Sequence, residues 1–168
     1  RLDANTTGVI VFSRTKEVAR NLQPQFETGE VIKSYLALVQ GTPNQQEFTC
    51  TEPIGWVPGA SGSRAVDPED GLPARTDFKL LRAGEQSLIE CRPASGRTNQ
   101  IRIHLAHLGL AIVGDPVYSA KPKGQSEPTA TREIADHPMC LHAWKLTFRH
   151  PTSGELVSFE SPPPVWSE

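Results

Sequence analysis

The first residues able to do chemistry in this 168-residue chain stand at its front, in Arg1-Leu2-Asp3-Ala4-Asn5-Thr6-Thr7-Gly8. Thr6, Thr7 and Gly8 make a tight polar turn, because threonine hydroxyls can bond nearby backbone groups. A carboxylate fixed beside such a turn can serve as a nucleophile or a base; capping the turn is its simpler use. The second chemical stretch is Ser95 to Gly109, "SGRTNQIRIHLAHLG". Arg97, Arg102, His104 and His107 concentrate positive or titratable groups there, while Ile101, Ile103 and Leu105 tie the same stretch to a core. A helix N-terminus with unpaired N–H donors suits an anion. Arg102, between two isoleucines, is expected in a partly enclosed place where a guanidinium needs a carboxylate partner.

Competing chemistries fit less well. His104 and His107, with Asp115 and His142, could be imagined around a metal, but the pair lacks a third ligand at a recognised spacing. Ser34 or Ser95 beside a histidine would suggest a hydrolase, yet there is no Gly-x-Ser-x-Gly elbow and no glycine-rich phosphate loop. No metal is therefore expected.

The elements that must position these groups can be traced by period. Gly8 to Phe12 is β-branched and reads as a buried strand. Ser13 to Phe26 reads as a helix capped by Thr15, with Val18, Leu22 and Phe26 at helical spacing, Gly29 closing it and Pro24 opposing its last turn. Lys33 to Gly41 alternates as a strand with Tyr35, Ala37 and Val39 on one face and Leu36 and Leu38 on the other. Thr42 to Thr76 reads as loop. Strands are expected over Asp77–Leu81 and Ser87–Arg92, joined at Ala83-Gly84.

Thr98 to Leu108 reads as a helix ended by Gly109, with Ile101, Leu105 and Leu108 on one face. Leu110 to Val113 could form a short strand before a turn at Gly114-Asp115-Pro116. Ser119 to Pro138 reads as a mobile polar loop, and Met139–His150 with Val157–Phe159 as a last hairpin. Strands and helices without a regular βαβ rhythm point to an α+β fold with a mixed, mostly antiparallel sheet flanked by helices and loops.

Composition bounds the rest. The length suits one domain over residues 1–168, and 15 prolines with 13 glycines at 37% hydrophobic residues imply many turns around a modest core. No stretch approaches the roughly 20 apolar residues of a membrane helix, so no membrane partner is expected. Cys50, Cys91 and Cys140 are odd in number, widely spaced and without a Cys-x-x-Cys pair, which suits reduced, buried thiols of an intracellular, cytoplasmic protein. A net charge of −2 offers nucleic acid no global attraction, so RNA binding would need a local basic patch. The chain opens without Met and directly on a motif, and a truncated N-terminal side is expected.

Four stretches, in order, resemble the pseudouridine synthases of the RluA family. "RLDANTTG" is similar to that family's catalytic box Arg-Leu-Asp-x-x-Thr-Ser-Gly, with Thr7 at the serine, and "KSYLALVQG" to its Lys-x-Tyr box. "GRTNQIRIHLAHLGLAIVGDPVY" resembles the third box, Gly-Arg-Thr-His-Gln-Ile-Arg-x-His followed by Gly-Asp-x-x-Tyr, and "LHAWKLTFRHP" the closing Leu-His-Ala strand. Asn99 stands where the family commonly has histidine; it can hydrogen-bond but carries no charge.

The resemblance implies the pseudouridine synthase catalytic fold without its N-terminal part, and isomerisation of uridine to pseudouridine in ribosomal or transfer RNA by a monomer needing no cofactor. It implies Asp3 as nucleophile, Arg102 as its ion-pair partner, and Tyr35 as the ring that stacks on the base and helps remove the proton at carbon 5. Arg1 would fill the gap left by a flipped base. Leu2, Arg97, Asn99, Gln100, Ile103 and His104 would complete the substrate site, with Leu2, Ile103 and Leu105 as its wall. An alternative is a catalytically silent RNA-binding relative or an inactive fragment; retention of Asp3, Tyr35 and Arg102 together favours the enzyme.

Overall fold

A computed structural model describes residues 1–57, 63–119 and 138–168. The strands are β1 (Thr7–Gly8), β2 (Ile32–Gln40), β3 (Glu47–Cys50), β4 (Ile54–Trp56), β5 (Arg64–Val66), β6 (Thr76–Arg82), β7 (Gln86–Pro93), β8 (Leu141–Arg149) and β9 (Leu156–Glu160). Two α-helices, α1 (Lys16–Glu27) and α2 (Gln100–His107), and a 3-10 turn at Val165–Ser167 complete the described elements. Seven strands form one sheet in the order β1-β8-β2-β7-β6-β3, with β9 also on β8. All neighbours are antiparallel except β1 and β8. The expected α+β class with a mixed, mostly antiparallel sheet is the one observed.

The central strands are those with apolar residues on both faces. Leu36 to Val39 of β2 and Leu88 to Cys91 of β7 are buried, the polar Glu90 included, and pair in register. Ile101 and Leu105 of α2 pack into this core with Leu110 and Ile112. Helix α1 lays Leu22 on a second cluster with Val31, Leu146 and Phe148. Its start is capped as expected, Thr15 Oγ1 accepting from Val18 N–H at 3.2 Å, and it runs through Pro24 to Glu27. All three cysteines are free and buried.

Three expectations are corrected. Strand pairing in the first segment stops at Gly8 instead of reaching Phe12: Val9 N–H still donates to the Ala143 carbonyl at 2.9 Å, but β9 occupies the same edge of β8 from Lys145 onward. Val9 and Val11 pack instead beside α1, and Phe12 is 79% exposed. The expected loop from Thr42 to Thr76 contains β3, β4 and β5, each three or four residues long and framed by proline or glycine. Leu110–Val113 forms one isolated bridge, Ile112 to Val39. Nearly all of the expected mobile loop, residues 120–137, lies outside the described residues.

Candidate active site

The front turn is fixed by backbone contacts and one close approach. Thr6 N–H donates to Asp3 C=O at 3.1 Å, with Asn5 in the left-handed region at φ +68°, which a short polar side chain tolerates. Gly8 follows at φ +109°, where a Cβ would collide with the backbone of Ala143. Thr7 Oγ1 and His142 Nδ1 meet at 2.8 Å. The front segment is thereby clamped to β8, and Asp3 faces inward.

Asp3 lines a cavity of about 560 Å³, within the roughly 300–1,000 Å³ of small-ligand sites. Tyr35 and Lys33 enter it from one face of β2, as the two-residue period of a strand requires. Arg1, Leu2, Arg97, Gln100 and Ile101 also reach it, as does Phe26 from α1. Arg1 sits on the rim, its Nη2 donating to Thr98 Oγ1 at 3.1 Å, and Lys33 Nζ donates to the Ser95 carbonyl at 3.1 Å.

The electrostatics of this pocket are set by burial. Burial raises the Asp3 carboxyl above its ordinary range, opposed by the Arg102 charge, the Asn99 backbone and Arg1, and assisted by the like charge of Asp115. Tyr35 is pushed up to about 12 by burial and then by the charge of Asp3 and by Cys91. Its phenol is therefore neutral near pH 7 and offers a ring and a hydrogen-bond donor. Burial lowers Lys33.

Arg102 departs from expectation in its partner. Its Nε and Nη2 donate to Asp115 Oδ2 and Oδ1 at 2.7 and 2.8 Å, and no ion pair with Asp3 occurs among the described residues. The reason is the turn after Val113, which returns Asp115 over α2 and fixes its Oδ1 with the N–H groups of Val117 and Tyr118 at 2.8 and 2.9 Å. Arg102 reaches Asp3 through its charge, as a neighbour and not as a hydrogen-bonded mate. Its Nη1 donates to Asn99 Oδ1 at 2.8 Å, and the Tyr118 ring lies 4.9 Å from its guanidinium.

Other expected substrate contacts divide. Leu2 and Arg97 line the cavity; Arg97 Nε is also bonded to the Pro73 carbonyl. Gln100 lines it too, but its amide is saturated by Ser95, Arg97, Arg75 and Thr76, so it holds the 95–97 loop in place. Asn99 acts on Arg102 and Tyr118 and is absent from the cavity lining.

Ile103 faces the other way, packed with Ile54 and Ala74, and Leu105 is in the main core, so neither is a wall of this cavity. His104 is fully buried outside it, with Nδ1 2.9 Å from Thr76 Oγ1 and Nε2 3.0 Å from the Glu52 carbonyl. Helical period explains the split: Ile101 faces the sheet and the cavity, whereas Ile103 is rotated roughly 200° away. Lys33, Asp115 and Tyr118 were not assigned to the site from sequence. The two-residue spacing of Lys33 and Tyr35 was the available signal for the first, and the need of an enclosed arginine for a carboxylate was the signal for the second.

Among the described residues no group of three or more His, Cys, Asp or Glu is arranged to hold a metal ion, and both ring nitrogens of His104 already have protein partners. The arrangement offers one half-buried carboxylate, Asp3, and one aromatic ring, Tyr35, in a cavity that the cations Arg1, Lys33 and Arg97 also line.

Comparison with known proteins gives the lineage. The family model described as RNA pseudouridylate synthase matches residues 1–107. An uncharacterized RNA pseudouridine synthase of Chloroflexus aurantiacus is 41% identical over 166 residues, 98% of this chain and 49% of that protein. The ribosomal large subunit pseudouridine synthase D of Nitrosomonas europaea is 37% identical over 98% of this chain and 47% of its own length. This chain thus spans about half the length of the curated relatives it matches. The solved structure of human RNA Pseudouridylate Synthase Domain Containing 1 superposes with a TM-score of 0.76 at 28% identity, covering 98% of this chain and 67% of that one. Human RNA Pseudouridylate Synthase Domain Containing 4 shares the fold, with a TM-score of 0.77 at 23% identity over 99% and 71% of the two chains. With its four boxes in order along a sheet of this topology, the chain belongs to the RNA pseudouridylate synthase family.

Proposed function

We propose that the protein containing this chain isomerises uridine to pseudouridine in ribosomal or transfer RNA, with Asp3 as the nucleophile. The observation that carries this reading is the shared cavity of Asp3 and Tyr35, rimmed by Arg1, Lys33 and Arg97 on a chain whose net charge is −2. Three cations gathered at one opening give the local patch a polyanion needs. The relatives named for the large ribosomal subunit support the ribosomal choice.

In the proposed reaction a uridine leaves its stack and enters the cavity, its ring on Tyr35. Asp3 attacks either the anomeric carbon or the pyrimidine ring. The bond from N1 to the ribose breaks, the uracil turns, and carbon 5 joins the same ribose carbon. The carbon 5 hydrogen leaves as a proton and N1 ends protonated, so no redox partner is needed. Arg102, held by Asp115, favours the ionised form of Asp3 against the desolvation that a bound base would deepen.

The test uses the full-length protein, ribosomal RNA lacking pseudouridine and labelled with tritium at carbon 5 of uridine. Tritium release by the parent and none by Asp3→Asn is the expected result. Release that persists in Asp3→Asn removes Asp3 from the mechanism, and release abolished by a chelator favours metal chemistry instead.

A further inference from the structure

The turn that carries Asp3 is held from behind the sheet. Strand β8 lies between the front segment and β2: His142 is paired with Thr7 on one side and Leu36 on the other, and Ala143 with Gly8 and Tyr35. Directly paired residues share a face of the sheet, and successive residues alternate between its faces. Tyr35 and Leu141 line the cavity, so Ala143 is on the cavity face and His142 on the reverse, outside the cavity lining. His142 is 4% exposed, and its Nδ1 meets Thr7 Oγ1 at 2.8 Å. Its Nε2, also buried, has no hydrogen-bond partner of normal geometry among the described residues. A buried polar atom without a partner costs stability, so packing alone does not account for an imidazole at this place.

We infer that His142 is a positioning residue: through its bond to Thr7 it fixes the front turn on β8, and so sets where Asp3 stands relative to Tyr35. The inference rests on the proposed role of Asp3. The other ties between the front segment and β8 are few. Strand β1 is two residues long, and its pairing ends with Val9 N–H on the Ala143 carbonyl at 2.9 Å. So short a strand specifies register weakly, and a slip of one residue would turn Thr7 to the cavity side and Thr6 to the reverse. Gly8 permits the close approach to the Ala143 backbone, and the Thr7–His142 bond orients it. A displacement of Thr7 is passed to Asp3 by the turn that the Thr6 N–H closes on the Asp3 carbonyl at 3.1 Å. On the other side of the same two β8 residues, the register of β2 shifts between Ser34 and Tyr35, an irregularity of the kind that re-aims a side chain. Asp3 and Tyr35 thus both take their places from His142 and Ala143.

Variants of the full-length protein test this, with tritium release from ribosomal RNA as the rate and NMR amide exchange as a readout that needs no RNA. His142→Leu removes the bond and the unpartnered nitrogen together at similar volume. His142→Asn puts an amide where Nδ1 stands, whereas His142→Gln carries it one bond farther out. His142→Leu is expected to melt within about 3 °C of the parent and yet to lose about tenfold in kcat, with KM within about twofold. Its Thr6 amide should exchange about fivefold faster than the parent's. His142→Asn should recover both kcat and Thr6 protection, and His142→Gln neither. Thr7→Val should match His142→Leu, and the double variant should lose no more than either alone. A parent-like kcat and Thr6 exchange in His142→Leu, or losses in kcat that follow Tm through all the His142 variants, overturn the inference. Faster Thr6 exchange in His142→Leu and His142→Gln but not in His142→Asn, beside a parent that releases no tritium, leaves the positioning role standing and defeats the proposed function.

Discussion

Arg102 and Asp115 form a buried bidentate pair, Nε and Nη2 lying 2.7 and 2.8 Å from the two carboxylate oxygens, with side chains 7% and 0% exposed. Burial opposes both charges, but the hydrogen bonds and mutual attraction, with the N–H groups of Tyr118 and Val117, hold Asp115 below the usual carboxylate range. Removing one partner strands the other's charge in a low-dielectric place, which costs about 3–5 kcal/mol. Asp115→Asn is accordingly expected to lower the urea midpoint by an amount equivalent to about 3 kcal/mol and to reduce uridine isomerisation at least about tenfold. A urea midpoint equal to the parent's would show that Arg102 finds its anchor elsewhere.

Asp3 carries the opposite sign. Its carboxyl is raised in the folded chain by burial, more than Arg102, the Asn99 backbone and Arg1 lower it. As pH rises, the unfolded chain releases this proton near 3.8 and the folded chain only at a higher pH, so stability falls across that window and stays lower above it. An ionised Asp3 therefore costs stability at neutral pH. Asp3→Asn should abolish tritium release and raise Tm at pH 7, and the acid limb of the parent's kcat/KM profile should lie above 3.8. A lower Tm for the variant at pH 7, in paired calorimetric scans, would mean that attraction to Arg102 outweighs burial.

Tyr35 is pushed up to about 12 by burial and by Asp3. At pH 7 only about one molecule in 100,000 would carry its phenolate. Tyr35→Phe keeps the ring, so RNA affinity should stay within about threefold and the alkaline limb of the rate profile should not move. Tyr35→Ala removes the stacking face and should weaken binding by about 1–3 kcal/mol in a filter-binding titration. A shifted alkaline limb in Tyr35→Phe would assign proton transfer to the hydroxyl.

Legibility in the sequence followed the length scale of the signal. The two strands at the centre of the sheet, the capped helix α1 and the helix bearing Arg102 stand out because burial on both faces, or on one helical stripe, forces a pattern several turns or pleats long. Strands β4 and β5 do not, since three residues between glycines and prolines leave no period to detect. In the site, Asp3, Tyr35, Arg1, Leu2 and Arg97 were legible, and each lines the cavity.

Ile103 and His104 show where adjacency misleads. Their neighbour Arg102 borders the site, but a helix turns about 100° per residue and carries them into a separate cluster and a buried bond to the Glu52 carbonyl. The need of the enclosed arginine for a carboxylate was legible, but which carboxylate meets it, Asp115 and not Asp3, was out of reach for a different reason. It depends on a turn closing over α2, a tertiary event with no local period.

Lys33 gives the sharpest electrostatic prediction. Its side chain enters the cavity two residues before Tyr35, its Nζ donates to the Ser95 carbonyl and to no other group among the described residues, and burial lowers its pKa. No carboxylate is within ion-pair distance of it among the described residues, so part of its desolvation stands uncompensated in the free protein. A phosphate entering the cavity would supply the missing anion, and neutralising one phosphate contributes about 0.7–0.9 to the slope of log K against log salt. Lys33→Met preserves the length and apolar stem, so the variant should melt at or slightly above the parent's Tm. Its RNA affinity should fall severalfold at low salt, and the salt slope should become shallower by about 1, measured by titration across a range of KCl concentrations. A slope equal to the parent's would place Lys33 away from the RNA backbone and leave Arg1 and Arg97 as the cations that hold it.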